Sequence, residues 1–428
     1  MNKKENKKIE KNIIVGGPEN FAKLYAESTV GNYSSCDCYI SKTIKNPEYT
    51  ERENGSKGIV MWGNSNMFPQ ELIDLTYSVP EQQAIITKIS SLTAGQGIYI
   101  PTNISSGLKK FLANDNGEVN LSKLSMKIAW DTSVFGGFAL EVQWSTNGIG
   151  AINHIPLQNL RVALPKEGRP DGYMYCKNWS KTNKFKPEFI AAYDPKLNKK
   201  EYPNQVYFAK YNDFATQVYC LPMYFGALNE IILAYEISTF HLKGIQNGLY
   251  PTVLMTFFEQ PEQEIRKEHY EKINSQYGGA ENANKALIFY CQDPTLKPEI
   301  TIIDPINVDE HYLQLYDIIT QKIITGWGIT NPEIVGIPQP KGISSSANDI
   351  IFATYRLQNE VIDPIQKFIE ENLNELAKQN GIYESITLNK AYDDEKFAML
   401  MTSFGGGTAQ VAQIQKEDET QQDKNNTL

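Results

Sequence analysis

Two helix-like segments of this chain are separated by a stretch in which strand and helix patterns alternate. Apolar residues recur at helical spacing over 228–247 and again over 308–327. Between them, residues 252–258, 286–291 and 300–303 have the composition of strands, and residues 261–277 have that of a helix. The sequence therefore predicts a small βαββ unit inserted between two helices.

The strongest helix pattern in the chain follows this unit and runs over 346–380. Ser346 and Asp349 have the spacing of a capping box, and Gly381 provides a C-terminal stop. Pro364 lies inside the pattern, where a proline removes one backbone hydrogen bond. We therefore expect one long helix with a kink at this proline.

A loop rich in proline and glycine, residues 328–345, leads into that helix. Long loops without regular structure are uncommon in compact regions and usually have a function. Its serines, Ser344 and Ser345, and the adjacent Ser346 have no GxSxG frame and no neighbouring histidine. The sequence therefore predicts a protein that is not an enzyme. A soluble hydrolase using these serines or a cysteine remains the least favoured alternative.

The N-terminal half combines helices with many short strands. Helical spacing occurs over 68–93, where Pro80 separates two helices, and over 121–137. Strand patterns fill 138–155, with a turn at Asn147-Gly148, and recur over 157–220. A last strand is expected at 386–388 and a short helix at 393–401. The fold class is therefore α+β.

The charge of the chain disfavours tight binding to nucleic acid. Its 41 Lys and Arg residues are outnumbered by 50 Asp and Glu, which gives a formal charge of −9 and a pI near 5.2. Only 5 of the basic residues are Arg, the side chain best suited to bidentate contacts with phosphates and bases. Any contact with nucleic acid should therefore be loose and independent of sequence.

Cysteine and histidine are too sparse for a disulfide framework or a metal centre. The 5 Cys and 4 His lie far apart, except for Cys36 and Cys38, which are too close together for the usual zinc motifs. No glycine cluster has the context of a phosphate-binding loop, so we expect no cofactor and no metal. No window is long and apolar enough for a membrane span or a signal peptide, so we expect a protein of a reducing cytoplasm with no membrane partner.

Several phrases in the second half resemble those of the portal proteins of tailed bacteriophages. They are NGLYP at 247–251, YGGAENANK at 277–285, GITNP at 328–332 followed by Val335-Gly336, and IEENLNEL at 369–376. Asn331 is an insertion relative to the family's GVPP phrase. Weaker agreement, over 68–93 and around Phe135 and Ile155, extends the resemblance to most of the chain.

The resemblance implies a phage portal fold with an α/β wing, a helical stem, a small α/β clip, a tunnel loop and a long kinked helix. Carried onto this chain, it gives a flexible arm at 1–30, the wing at 31–225, stem helices at 226–249 and 305–328, the clip at 250–304, the tunnel loop at 329–345, a long wing helix and closing strand at 346–402, and a short crown remnant or disordered tail at 403–428.

The resemblance also implies a function, partners and sites. The protein would form a ring, a dodecamer, at one capsid vertex of the virion after assembly in the host cytoplasm. Double-stranded DNA would pass through it, and the major capsid protein, the terminase large subunit and the head–tail adaptor would bind it. The implied DNA-channel loop residues are Gly336, Gln339, Lys341, Ser344 and Ser345. The implied clip interface residues are Glu264, Arg266, Lys267, Glu271 and Lys272.

One alternative is a ring without DNA translocation. In that hypothesis the chain is another capsid or head–tail connector ring protein. A ring with an open axial channel distinguishes both ring hypotheses from a hydrolase, and binding of the packaging motor distinguishes the portal from the other ring.

Overall fold

The computed structural model describes most of the chain between residues 58 and 403. The described residues are 58–63, 65–212, 218–247, 253–257, 263–265, 267–268, 286–290, 308–339 and 345–403. The arm expected over 1–30 lies outside them, as does all of the expected 403–428 tail except Ser403, which ends the last helix. The described elements combine helices with a mixed sheet, so the fold is α+β as the sequence predicts.

Four helices begin the described part. They are α1 (Phe68–Ser78), α2 (Pro80–Ala94), α3 (Ser106–Ala113) and α4 (Leu121–Phe135). Proline lies in the first turn of both α1 and α2, where its missing N–H leaves no bond unmade. Helix α3 was not predicted from the sequence. It begins at Ser105, whose side chain accepts a hydrogen bond from the backbone N–H of Leu108.

A six-stranded sheet follows these helices. Its strands are β1 (Gly137–Ser145), β2 (Gly148–Ile155), β3 (Leu160–Val162), β4 (Gly172–Tyr175), β5 (Glu188–Ala192) and β6 (Asn204–Lys210). Their spatial order is β2-β1-β6-β5-β4-β3, with β5 and β6 parallel and the other neighbours antiparallel. The strand patterns predicted over 138–155 and within 157–220 are confirmed as β1 to β6. The hairpin turn differs slightly, because Gly148 pairs with Ser145 and already belongs to β2.

The two long helices and the strands of the inserted unit come next. Helix α5 (Leu228–Asn247) and helix α6 (Val308–Gly326) have the predicted positions. Between them, β7 (Val253–Phe257) and β8 (Ala286–Tyr290) form a parallel pair. Residues 263–265 and 267–268, within the predicted helix, are helical. The predicted strand at 300–303 lies outside the described residues.

The last long helix contains a wide turn before Pro364. Helix α7 (Ala347–Leu357) continues through a π-helical turn, Gln358–Ile362, into α8 (Asp363–Lys378). The backbone N–H of Asp363 bonds to the carbonyl of Gln358, five residues back. Proline has no N–H for the usual bond four residues back, and a π turn is one way to accommodate it. The long helix is thus confirmed, and its interruption lies where the proline predicts it.

The expected closing strand at 386–388 is wrong as a strand. Leu388 makes a single β-bridge with Ile98, and residues 386–388 form no longer strand. The amide of Asn374 on α8 instead satisfies both backbone groups of Ile386, and these bonds hold the segment against the helix rather than against a sheet. Helix α9 (Asp394–Ser403) follows, close to the predicted 393–401.

Helix α8, the second part of the long helix, packs against the sheet. The ring of Phe368 on α8 packs edge-on against Phe138 of β1, with their centroids 5.6 Å apart. The hydroxyl of Tyr207 on β6 donates to Oδ1 of Asn372, 2.7 Å away. Ile365, Ile369 and Leu373 of α8 are fully buried. Helix α8 and the sheet therefore share one packed core.

Candidate functional site: the helix pair and the loop that follows it

Helices α5 and α6 are antiparallel neighbours. Lys322 Nζ lies 3.4 Å from a carboxylate oxygen of Glu230. One turn further, a methyl group placed on Gly326 would lie only 2.4 Å from Cβ of Ala227. The beginning of α5 is thus fixed to the end of α6 by a backbone contact that only glycine permits. The residues that join the other ends of the two helices are those that contain β7 and β8.

The helix pair is attached to α2 by a tyrosine–carboxylate contact. The hydroxyl of Tyr316 on α6 lies 2.9 and 3.0 Å from the two carboxylate oxygens of Glu81. Burial, together with the charge of Glu81, raises the pKa of Tyr316, so the phenol remains a neutral donor. This contact orients α6 relative to the packed core.

Both helices of the pair expose large apolar side chains. Leu233 on α5 is 41% exposed and Ile318 on α6 is 52% exposed, while Ile231 and Ile323 on the same two helices are fully buried. Each helix therefore has one apolar face inside the molecule and further apolar atoms outside it. Exposed apolar side chains on both helices are typical of a surface that contacts another protein.

A buried tryptophan lies between the end of α6 and the 328–345 loop. Trp327 is 3% exposed, and its indole Nε1 donates to Oε1 of Gln82 on α2 over 2.9 Å. Its ring stacks on Tyr224, with the centroids 4.7 Å apart. The hydroxyl of Tyr224 donates to the carbonyl of Val134 on α4, and burial raises the pKa of this phenol. The residue before the loop is therefore joined to α2 directly and to α4 through Tyr224.

The next part of the loop is more ordered than its proline and glycine content suggests. A short 3-10 turn spans Pro332–Val335, and Ile329, Ile334 and Ile337 are all less than 9% exposed. The expectation of a loop without regular structure over 328–345 is therefore wrong for its first ten residues. Apolar side chains alternate with the prolines and glycines there, and their burial fixes the backbone.

Asn331 joins the two ends of the remaining segment. Its Oδ1 accepts hydrogen bonds from the backbone N–H of Glu333 at 2.9 Å and from Nε2 of Gln339 at 3.2 Å. Its Nδ2 donates to Oγ of Ser345 at 2.9 Å, and Nε2 of Gln339 donates to the same oxygen at 2.9 Å. Asn331 is 6% exposed. Residues 339 and 345 are thus held together by one buried amide.

The predicted channel-loop residues divide into two groups. Gln339 and Ser345 belong to the hydrogen-bonded base of the loop. Gly336 has φ 78° and ends the 3-10 turn with no atom near the position of a Cβ. Lys341 and Ser344 lie outside the described residues. The structure thus brings together two of the five predicted residues.

The predicted clip residues are described only in part. Glu264 and Lys267 are exposed residues of the helical stretch, and the adjacent Ile265 is 45% exposed. Arg266, Glu271 and Lys272 lie outside the described residues. The described part of this predicted interface therefore combines charge with one apolar side chain.

The serines next to the loop have structural hydrogen bonds. Ser346 caps α7 in a complete capping box with Asp349, as the sequence predicts. These bonds lower the pKa of Asp349. The hydroxyl of Ser345 bonds to Asn331 and Gln339. Within the described ranges, these hydrogen bonds involve no histidine, so they assemble no Ser–His pair.

Two further observations concern metal ligands and membrane-spanning helices. In the described part of the chain, no three His, Cys, Asp or Glu side chains lie together as a metal site would require. Among the helices of that part, none is both long and apolar enough to cross a membrane.

Two features of the loop were not predicted to have these roles. In the sequence Asn331 stands out only as an insertion, although asparagine directly before a proline is a common cap of a short turn. The contact of Trp327 with Gln82 has no signal in the sequence, because 245 positions separate the two residues.

Comparison with known proteins gives matches among solved structures only. No family model and no curated protein matches the sequence. The neck of a native gene transfer agent particle, computed with C12 symmetry, aligns with 82% of this chain and 92% of its own, at 15% identity and a TM-score of 0.49. A chain from the virion of a native gene transfer agent particle aligns with 79% of this chain over 88% of its own length, at 15% identity and a TM-score of 0.48.

A third solved structure is the crystal structure of a HK97 family phage portal protein from Corynebacterium diphtheriae. It aligns with 74% of this chain and 95% of its own, at 9% identity and a TM-score of 0.46. A phage portal protein, the class that the sequence resembles, is thus among the solved structures to which this chain is similar.

Proposed function

We propose that this chain is the subunit of a portal ring at one vertex of a phage capsid. Such a ring would let double-stranded DNA enter and leave the head, and would bind the terminase motor and later the tail adaptor. The observation that supports the proposal best is the antiparallel pair α5–α6. This pair has the strands β7 and β8 in the connection at one end, and the anchored loop after Trp327 at the other. This order agrees with the order of stem, clip, stem and channel loop that the resemblance to portal proteins implies.

The exposed apolar side chains of the helix pair suit the walls of such a ring. Leu233 and Ile318 would be buried against neighbouring subunits, because a ring built from one chain needs two different lateral surfaces on each copy. The net charge of −9 per subunit suits a conduit, since like charge keeps DNA from adhering to the wall. The ring would belong to the virion and contact the major capsid protein.

The native mass of the purified protein, together with negative-stain images, tests the ring directly. Rings of about a dozen subunits with a central hole are expected. Leu233→Glu and Ile318→Glu should shift the protein to smaller species without unfolding it. Gln321→Glu is the matched control, because it adds the same charge at an exposed position of α6 without removing apolar surface. Rings that form equally well in all four proteins would contradict this role of α5 and α6.

Lys341 tests the channel loop separately from assembly. Lys341→Ala should leave ring formation unchanged and alter packaging or retention of DNA, because it removes a positive charge from the expected channel loop. Lys341→Arg keeps that charge and is the control. Loss of assembly in Lys341→Ala would contradict the assignment of this loop to the channel.

The inserted unit tests the motor contact and hence the alternative ring protein. Glu264 and Lys267 are exposed, so Glu264→Lys and Lys267→Glu should leave the ring intact and weaken its binding to the terminase large subunit. The double exchange retains the net charge and is compared with the single variants. A ring that never binds the motor would favour a connector without DNA translocation.

A further inference from the structure

We infer that two asparagine side chains, Asn114 and Asn380, close the outer edge of the six-stranded sheet against pairing with the same edge of a second copy of this chain. Strand β2 forms that edge, and within the described ranges no strand pairs with its outer side. The inference rests on contacts within the chain and does not depend on the function proposed above.

Strand β2 would pair readily with another strand if its edge were open. Its sequence, GIGAINHI, contains three isoleucines and no Asp, Glu, Lys, Arg or Pro. Natural edge strands often carry a charge or a proline, which discourages another chain from adding a strand. Because two identical strands can pair antiparallel about a two-fold axis, the β2 of a second copy is a self-complementary partner. The edge therefore needs another form of protection.

Each asparagine takes the place of a residue in a neighbouring strand. The backbone N–H of Ile149 donates to Oδ1 of Asn380 at 2.6 Å, and Nδ2 of Asn380 donates to the carbonyl of Ile149 at 3.0 Å. The backbone N–H of Ile152 donates to Oδ1 of Asn114 at 3.0 Å, and Nδ2 of Asn114 donates to the carbonyl of Ile152 at 2.7 Å. Residues paired in an antiparallel sheet exchange the same two bonds. The amides thus occupy backbone groups that an added strand would use.

Glycine makes room for both amides. A methyl group on Gly148 would lie 2.3 Å from Oδ1 of Asn380, and one on Gly117 would lie 2.1 Å from Nδ2 of Asn114. Asn114 ends α3 in the left-handed conformation, with φ 50° and ψ 47°, which asparagine adopts more readily than most residues. The two glycines and this backbone turn therefore let the amides reach the edge.

The opposite edge of the sheet is closed by backbone instead. The segment that contains Val60 runs along the outer side of β3, and the N–H of Val60 donates to the carbonyl of Val162 at 2.8 Å. Beside β2 there is a cavity of about 330 Å³, lined in part by Phe111, Ile149 and Ile382. Open space therefore adjoins the outer edge of β2, so its closure depends on the two amides.

Binding of a labelled peptide tests whether the amides close the edge. The probe is the synthetic β2 peptide GIGAINHI. The variant Asn114→Gly/Asn380→Ala removes both amides, and its glycine still permits the left-handed turn after α3. Fluorescence anisotropy should show roughly tenfold tighter binding to this variant than to the wild type, because the backbone groups of Ile149 and Ile152 become free. The same peptide with N-methyl groups on both edges should bind neither protein. Equal binding of GIGAINHI to variant and wild type would overturn the inference.

Asn374→Ala is the matched control. Nδ2 and Oδ1 of Asn374, on α8, bond to the carbonyl and the N–H of Ile386 in the same two-sided manner, but Ile386 belongs to no strand of the sheet. Loss of this amide removes the same two bonds without opening β2, so the peptide should bind no more tightly than to the wild type. Binding as tight as that of the double variant would show that destabilisation, and not an open edge, is the cause.

Hydrogen exchange and sedimentation give two further readouts. In Asn380→Ala, which changes only a half-buried position, the amide proton of Ile149 should exchange roughly tenfold faster, while that of Ile152 keeps its wild-type rate. This single variant should also bind the peptide more tightly than the wild type, so the inference stays testable if the double variant does not fold. Relative to the wild-type assembly, the double variant should form larger species as its concentration rises. Larger species that persist in excess GIGAINHI peptide would contradict pairing through β2.

Discussion

Gly326 of α6 lies against Ala227, so close that a methyl group added to the glycine would be 2.4 Å from Cβ of the alanine. Ala227 is 3% exposed and precedes the first turn of α5. The distance between helices α5 and α6 at this end is therefore set by the absence of one side chain. The helix pair should therefore be sensitive to substitutions at this contact.

Gly326→Ala should destabilise the protein by about 1–3 kcal/mol, because the added methyl group forces the two helices apart. Chemical unfolding of the purified chain measures this. Gly226→Ala is the control, since Gly226, which precedes Ala227, has open space around the position of a Cβ. Adding Ala227→Gly to Gly326→Ala should restore much of the loss. A double variant no more stable than Gly326→Ala would show that the contact is not the cause.

Trp327→Phe should lower stability by about 1–3 kcal/mol, because it leaves Oε1 of Gln82 buried without its donor. The variant keeps an aromatic ring beside Tyr224, but it also removes part of a buried ring, so the loss combines a packing term with the hydrogen bond. Combining it with Gln82→Met, which makes both partners apolar, should recover part of the loss. The comparison of single and double variants by thermal unfolding decides this, and additive losses would argue against a direct coupling.

The buried pair Asp131–His154 should make stability depend on pH in an unusual direction. Asp131 on α4 is 1% exposed, and His154 Nε2 lies 2.8 Å from its Oδ2. Burial raises the pKa of Asp131 above its ordinary 3.8, although His154 opposes this shift. The folded state therefore binds the proton more tightly than the unfolded state. Relative to Asp131→Asn, the wild type should lose stability as pH rises from 3.8 through the raised pKa.

Asp349 should show the opposite trend and is measured in parallel. Its hydrogen bonds with Ser346 lower its pKa below 3.8, so its stabilising effect is complete above 3.8 and is lost as pH falls through the lowered value. The stability of the wild type relative to Asp349→Asn should therefore fall on acidification. Denaturant titrations of the three proteins between about pH 3 and 7 give both differences. Parallel pH dependences for the two variants would contradict the assigned shifts.

Sequence patterns predict those parts of this fold whose cause is local. Helices α5 and α6 have long apolar periodicity, and the start of α7 is specified by Ser346 and Asp349 within four residues. The short α3 was missed because eight residues provide too few periods, and it depends on the cap at Ser105. The predicted strand at 386–388 is wrong because the backbone of Ile386 bonds to the amide of Asn374, and only Leu388 pairs with another extended residue, Ile98.

The candidate site was predictable only in outline. Its position after α6 follows from the prolines and glycines of 328–345, but the hydrogen bonds that shape it depend on which side chains are buried. Gln339 and Ser345 were chosen as channel residues and are found at the base of the loop. Contacts between distant segments, such as Trp327 with Gln82, have no pattern within one sequence.

Arg161, on β3, shows how a charge can be buried here without a carboxylate. It is fully buried, and burial lowers its pKa to about 10. Its guanidinium lies over the rings of Trp179 and Trp62, at 5.0 and 5.8 Å. All five of its hydrogen bonds go to neutral oxygens, namely the side chain and carbonyl of Asn66, the side chain of Gln70, and the carbonyls of Gln158 and Leu160. This residue therefore joins the 62–70 segment to the sheet.

Arg161→Lys should lower the free energy of unfolding by about 2–3 kcal/mol. An ammonium group has three donors for the five acceptor oxygens, so two of these oxygens lose their hydrogen-bond partner. Arg169→Lys is the matched control. Arg169 donates one hydrogen bond, to the carbonyl of Leu164, and lies over Phe189, so the same exchange there should cost less than about 1 kcal/mol. Guanidinium unfolding of both variants measures the difference. Equal losses would mean that the number and planar arrangement of the Arg161 donors do not matter for stability.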